Sequence, residues 1–103
     1  MDSAFGLSSA DLEAIVAILQ KHPQVMEAVI FGSRAKGNYK IGSDVDVALK
    51  GEKLDFNTIS NISYLLNEET LMPYKFDVLN YHTISNAELV EHINRVGLSF
   101  YKK

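Results

Sequence analysis

The sequence predicts an α/β domain, a small mixed β-sheet flanked by helices. Apolar residues recur at helical spacing in three segments, and β-branched or alternating apolar runs fall between them. Glycine, proline or asparagine punctuates the junctions. At 103 residues the chain has room for one core and is too short for two, so 1–103 is read as a single domain. It is 47% hydrophobic and 22% charged, as a globular protein is, with no repeat or low-complexity tract.

Ser8 or Ser9 caps a first helix, with Asp11 and Glu13 in its first turn and Leu12, Ile15, Val16 and Leu19 on its apolar face. Pro23 stops it. Val25 to Phe31 is apolar apart from Glu27 and reads as a largely buried strand ending at Gly32. Residues 33 to 37 allow a short helix, and 38 to 43 a loop. From Asp44 to Leu49 the chain alternates strictly, with Asp44, Asp46 and Ala48 on one face and Val45, Val47 and Leu49 on the other. Asp55 caps a long helix marked by Phe56, Ile59, Ile62 and Leu66, and Lys75 to Leu79 reads as a third strand. Ser85-Asn86-Ala87-Glu88 predicts a capping box opening a last helix through Leu89, Ile93 and Val96, with Gly97 at its C-cap. Leu98 to Tyr101 adds a short edge strand.

Composition narrows the function. A net charge of −3 and a pI near 5.5 argue against direct nucleic-acid binding, which rests on cationic neutralisation of phosphates. The absence of cysteine fits a reducing cytoplasm and removes thiolate metal sites. The acidic amino terminus, MDSAFGLSSADLE, lacks the apolar core of a signal peptide, and no apolar run is long enough to span a membrane. Gly32 and Gly37 have P-loop spacing, but Asn38 and Tyr39 stand where that loop needs Lys and Ser or Thr. An EF-hand fails at Ala48 and Leu49, and His22, His82 and His92 share no ligand spacing.

The chemistry that remains is carboxylate and phosphate chemistry. On one strand face, Asp44 and Asp46 have Cα atoms about 6.6 Å apart, a spacing from which two carboxylates can bridge a pair of divalent cations. Hard oxygen ligands of this kind suit Mg²⁺. Gly32-Ser33, between a strand and a short helix, can hold a phosphate on main-chain N–H groups, glycine permitting close approach. Asp77 becomes a third carboxylate if its strand lies beside the second. Cradle and metal pair together describe a site for a nucleoside triphosphate. Arg34 is a further candidate nucleotide contact, and Tyr39 reads as an exposed loop residue.

Gly32-Ser33, ten intervening residues, Asp44-x-Asp46 and the later Asp77 resemble the signature of the nucleotidyltransferase superfamily that includes DNA polymerase beta. The short chain and the GSRAKG form of the turn resemble its minimal nucleotidyltransferase (MNT) branch, found beside helical HEPN-type partner proteins. The resemblance runs from Val25 to about Leu79. It implies the nucleotidyltransferase fold and an enzyme that moves a nucleoside monophosphate, AMP above all, from ATP or another NTP to an acceptor hydroxyl. It implies two Mg²⁺ ions held by Asp44, Asp46 and Asp77, with Asp77 also drawing the acceptor's proton, and β- and γ-phosphates anchored by Gly32 and Ser33. The expected acceptor lies on a HEPN-type partner, in a hetero-oligomer where this chain is the antitoxin of a toxin–antitoxin pair. Two alternatives fit the same residues: a module that masks its partner with little catalysis, and a small-molecule, antibiotic-type nucleotidyltransferase.

Overall fold

The computed structural model describes residues 3–103; Met1 and Asp2, which begin the acidic terminus, lie outside the described residues. The elements run β1 (Ser3–Ala4), β2 (Leu7–Ser8), α1 (Ser9–Gln20), β3 (Glu27–Phe31), α2 (Ser33–Lys36), β4 (Val45–Lys50), α3 (Phe56–Glu68), β5 (Phe76–Asn80), a 3₁₀ turn (Tyr81–Thr83), α4 (Ala87–Val96) and β6 (Leu98–Lys102). The main sheet has the order β5-β4-β3-β6. It is mixed: β4 runs antiparallel to β3 and parallel to β5, with α3 as the crossover that a parallel pair requires.

Alternation along the strands divides the interior in two. Ala28 and Ile30 of β3, Val45, Val47 and Leu49 of β4, and Phe76 and Val78 of β5 face a large core. Helix α1 brings Ile15 and Leu19 to it, and α3 brings Ile62 and Leu66, each pair four residues apart on one helix face. On the opposite face Val29, Phe31 and Ala48 pack against Ile93 of α4, with Leu79 and Leu89 alongside. Covering both faces explains why β3 is almost wholly apolar.

Local chemistry sets the boundaries. Ser8 caps α1: its hydroxyl accepts from Asp11 N–H at 3.0 Å while the Asp11 carboxylate accepts from Ser8 N–H at 3.4 Å. Asp55 caps α3 by accepting from Thr58 N–H at 2.8 Å. The capping box expected at 85–88 does not form. Asn86 is the N-cap, one residue later, and its side-chain oxygen accepts from Leu89 N–H at 3.1 Å. Gly97 does end α4, but with φ −64° and ψ 144° rather than a left-handed turn. Space is what demands glycine there: a Cβ would strike Ile93 O and lie 2.6 Å from Val29 Cγ1. The hairpin β1–β2 was not anticipated, because two-residue strands carry no periodicity, yet its Leu7 is fully buried.

Strand β5 is an edge, and Asn67 of α3 closes part of it. Asn67 Oδ1 accepts from Phe76 N–H at 2.7 Å and Asn67 Nδ2 donates to Phe76 O at 3.0 Å, as a neighbouring strand would. Asn67→Leu strands both groups and is expected to destabilise the fold by about 1–3 kcal/mol, read as a lower urea midpoint with an unchanged m-value.

Candidate active site

Register brings the carboxylates together. Asp46 is opposite Asp77 across the parallel β4–β5 pair and opposite Phe31 across β3–β4, so the three share one sheet face and one row. They lie two register positions from Ala48 and Leu79 on the same face, and of the row only Phe31 belongs to the cluster packed against Ile93 of α4. Phe31 ends the row in a T-shaped contact with the His92 ring, centroids 6.2 Å apart. Asp44 precedes β4 by one residue rather than lying within the strand. Asp44 and Asp77 are exposed and Asp46 is partly buried.

The Gly32-Ser33 turn leaves β3 directly against this row. Gly32 has φ 75° and ψ −153°, a conformation essentially reserved for glycine. A Cβ on it would collide with Asp46 Oδ2. Turn and carboxylate are therefore in contact through the one residue type that permits it. Ser33 begins α2, whose end at Gly37 is left-handed with φ 87°.

The cluster is electrostatically strained. Burial raises the Asp46 pKa from 3.8 to about 6, helped by the charges of Asp77 and then Asp44, with Arg34 pulling the other way. Among the described residues the one ion pair is Glu91–Arg95 at 3.8 Å, so Lys75, two residues before Asp77, does not pair with it. Three hard-oxygen groups without an ion-pair partner among the described residues are a donor set suited to Mg²⁺. Among the described residues no three acidic, imidazole or thiol side chains converge closely enough to enclose an ion unaided. Such a site fits a cation that keeps waters and takes phosphate oxygens as its remaining ligands.

Arg34 departs from expectation. It is 4% exposed, and each guanidinium nitrogen donates to a main-chain carbonyl. Nη2 reaches Ser43 O at 2.8 Å, Nη1 reaches Phe5 O at 2.9 Å, and Nε lies 3.3 Å from both Ser43 O and Asp44 O. The plane is sandwiched between the rings of Tyr39 and Tyr74, 5.2 and 4.9 Å from their centroids. With its guanidinium nitrogens directed to carbonyls, Arg34 is built into the fold rather than standing free beside Ser33. Tyr39, read as a plain loop residue, is one wall of this stack.

A mixed sheet that sets a row of carboxylates against a Gly-Ser turn is the architecture of a nucleotidyltransferase. The chain belongs to the family described as polymerase beta, nucleotidyltransferase, whose pattern matches residues 13–103. It is 34% identical over 98 residues, 94% of this chain and 84% of the relative, to a Haemophilus influenzae protein named "Probable protein adenylyltransferase MntA". A toxin–antitoxin crystal structure with AMP-PNP contains a chain of TM-score 0.74 and 18% identity, matched over 89% of this chain and 73% of that one. The complex of a tri-AMPylated Shewanella oneidensis HEPN toxin with MNT antitoxin contains another, of TM-score 0.69 and 16% identity, over 91% of this chain and 71% of that one. At these identities the structural likeness establishes the fold. Among the described residues no helix is long and apolar enough to cross a membrane.

Proposed function

We propose that residues 1–103 form a minimal nucleotidyltransferase unit that transfers AMP from ATP to a hydroxyl on a HEPN-type partner protein, as the antitoxin of the pair. The observation that carries the reading is the register of Asp46 with Asp77, with Gly32 closed against Asp46. The named adenylyltransferase relative and the toxin–antitoxin neighbours support the acceptor class. Small-molecule transfer and masking without catalysis are outcomes the experiment below separates.

In this mechanism Gly32 and Ser33 bind the β- and γ-phosphates through main-chain N–H groups and the Ser33 hydroxyl, orienting the α-phosphorus. Asp44, Asp46 and Asp77 are the residues that would hold two Mg²⁺ ions, which when bound neutralise the triphosphate and lower the pKa of the acceptor hydroxyl. The acceptor oxygen forms a bond to the α-phosphorus as the bond to pyrophosphate breaks, and Asp77 takes the hydroxyl proton. We place the reaction in the cytoplasm, where nucleoside triphosphates are available.

Two expectations follow from this chemistry. Divalent cations bind the carboxylate form, so apparent Mg²⁺ affinity rises with pH through about 6 and levels off above it, as Mg²⁺ titrations across that range would read. Co-expression with the adjacently encoded helical protein is expected to yield a complex on size exclusion, whose partner gains AMP in intact-mass analysis with ATP and Mg²⁺. A partner that co-elutes without gaining mass supports masking. One that does neither returns the reading to a small-molecule enzyme.

A further inference from the structure

The carboxylate cluster has one member outside the strand ladders. Asp46 and Asp77 are fixed by β-ladders, whereas Asp44 lies before β4, at the end of the loop from Gly37. That loop has two glycines with φ near 88°, Gly37 and Gly42, with open space around both. Its Ile41 is fully exposed. Its internal bonds are local, Ser43 N–H to Lys40 O at 3.0 Å and Lys40 N–H to the Ser43 hydroxyl at 2.8 Å. Gly37 N–H and Asn38 N–H tie the start of the loop to Ser33 O at 2.9 and 3.2 Å, and at its far end backbone anchorage resumes only after Asp44, where Val45 N–H donates to Lys75 O at 2.8 Å.

We infer that Arg34 is a positioning residue that locks the 37–44 loop and so presents Asp44 to the site. Its guanidinium grips the main-chain carbonyls of Ser43 and of Asp44 itself. The grip is pre-formed from three sides. Tyr39 and Tyr74 fix the plane, and the Tyr74 hydroxyl donates to Asp11 Oδ2 at 3.0 Å, tying the stack to the start of α1. The β1–β2 turn supplies Phe5 O, with Phe5 at φ 60°. A Cβ on the following Gly6 would lie 2.5 Å from the Tyr39 ring and 2.7 Å from Arg34 Nη1. Bridging carbonyls of two segments while stacked between two rings needs a planar fork, which a lysine ammonium cannot supply. Residues tens of positions apart thus converge on the backbone of one acidic residue. The inference rests on the assignment of Asp44 to the metal-binding cluster.

Arg34→Lys keeps the charge and loses the fork, and Tyr39→Leu removes one wall while leaving the guanidinium and its carbonyls. In Arg34→Lys, hydrogen exchange of the metal-free protein is expected to rise across 37–44 and stay unchanged in β3 and β4. Mn²⁺ affinity by calorimetry falls about tenfold, the scale of losing a group that orients a metal ligand. ATP affinity in the presence of EDTA is unchanged, and turnover with the partner recovers at saturating Mg²⁺. Tyr39→Leu shows the same pattern more weakly, and it decides the matter if Arg34→Lys does not fold. Unaltered loop exchange in the folded variants overturns the inference, as does a loss of metal-free ATP affinity with normal Mn²⁺ binding. A wild-type protein that binds no Mn²⁺ refutes the metal assignment instead, and the loop exchange then still decides whether Arg34 holds the loop.

Discussion

Asp46→Asn is expected to lower Mg²⁺-dependent nucleotide transfer by about a thousandfold and, at neutral pH, to make the metal-free protein more stable. The gain follows from linkage. The Asp46 pKa is about 6 in the fold against 3.8 for the free side chain, so between those values the folded state binds the extra proton. Stability therefore falls as pH rises from about 4 to about 6, and the penalty is complete above it. Asparagine removes that penalty near pH 7 and changes little near pH 4. Full burial of the shift would amount to roughly 3 kcal/mol, but the carboxylate is partly hydrated, which reduces the expected gain to about 1 kcal/mol. Urea denaturation at both pH values, with a transfer assay, reads both halves. Lost transfer without the pH-dependent stabilisation would separate the catalytic role of Asp46 from the strain assigned to it.

Gly32→Ala is expected to damage fold and function together. Its φ 75°, ψ −153° backbone costs a non-glycine residue about 1–3 kcal/mol. The added methyl must also displace the Asp46 carboxylate. Loss of about 2–3 kcal/mol in urea unfolding and near-complete loss of ATP binding by calorimetry are expected. Ser33→Ala, which removes a hydroxyl and leaves the backbone alone, is expected to cost only about 0.5–1.5 kcal/mol of binding. Wild-type affinity and stability in Gly32→Ala would contradict the contact between turn and carboxylate.

Much of this arrangement was legible in the residues. Strict alternation over Asp44–Leu49 placed Val45, Val47 and Leu49 in the core and Asp46 opposite, because a half-buried strand cannot mix its faces without burying charge. Helices α1, α3 and α4 followed from their apolar spacing, and β6 from a short run after Gly97. That β5 lies beside β4 was a condition rather than a deduction, since pairing between strands 30 residues apart leaves no local trace. Asn86 took the cap expected of Ser85 because adjacent residues of equal capping ability differ only in which one the backbone presents. The burial of Arg34 was not legible for a related reason. Its neighbours in SRAK are small or polar, and the groups that bury it come from Phe5, Tyr39, Ser43 and Tyr74. Long-range burial of a charge is decided by topology, which residue types near it in the chain do not report.

Under the proposed function, the cluster of Asp44, Asp46 and Asp77, set against Gly32-Ser33, moves the α-phosphoryl group of a nucleotide. Parallel incubations of the protein and the HEPN-type protein proposed as its partner, with Mg²⁺ and ATP labelled at either the α- or the γ-phosphorus, decide it. Label from the α position on the acceptor, with γ label released as pyrophosphate, is the predicted result. Transfer of the γ label, or release of inorganic phosphate in place of pyrophosphate, would contradict it.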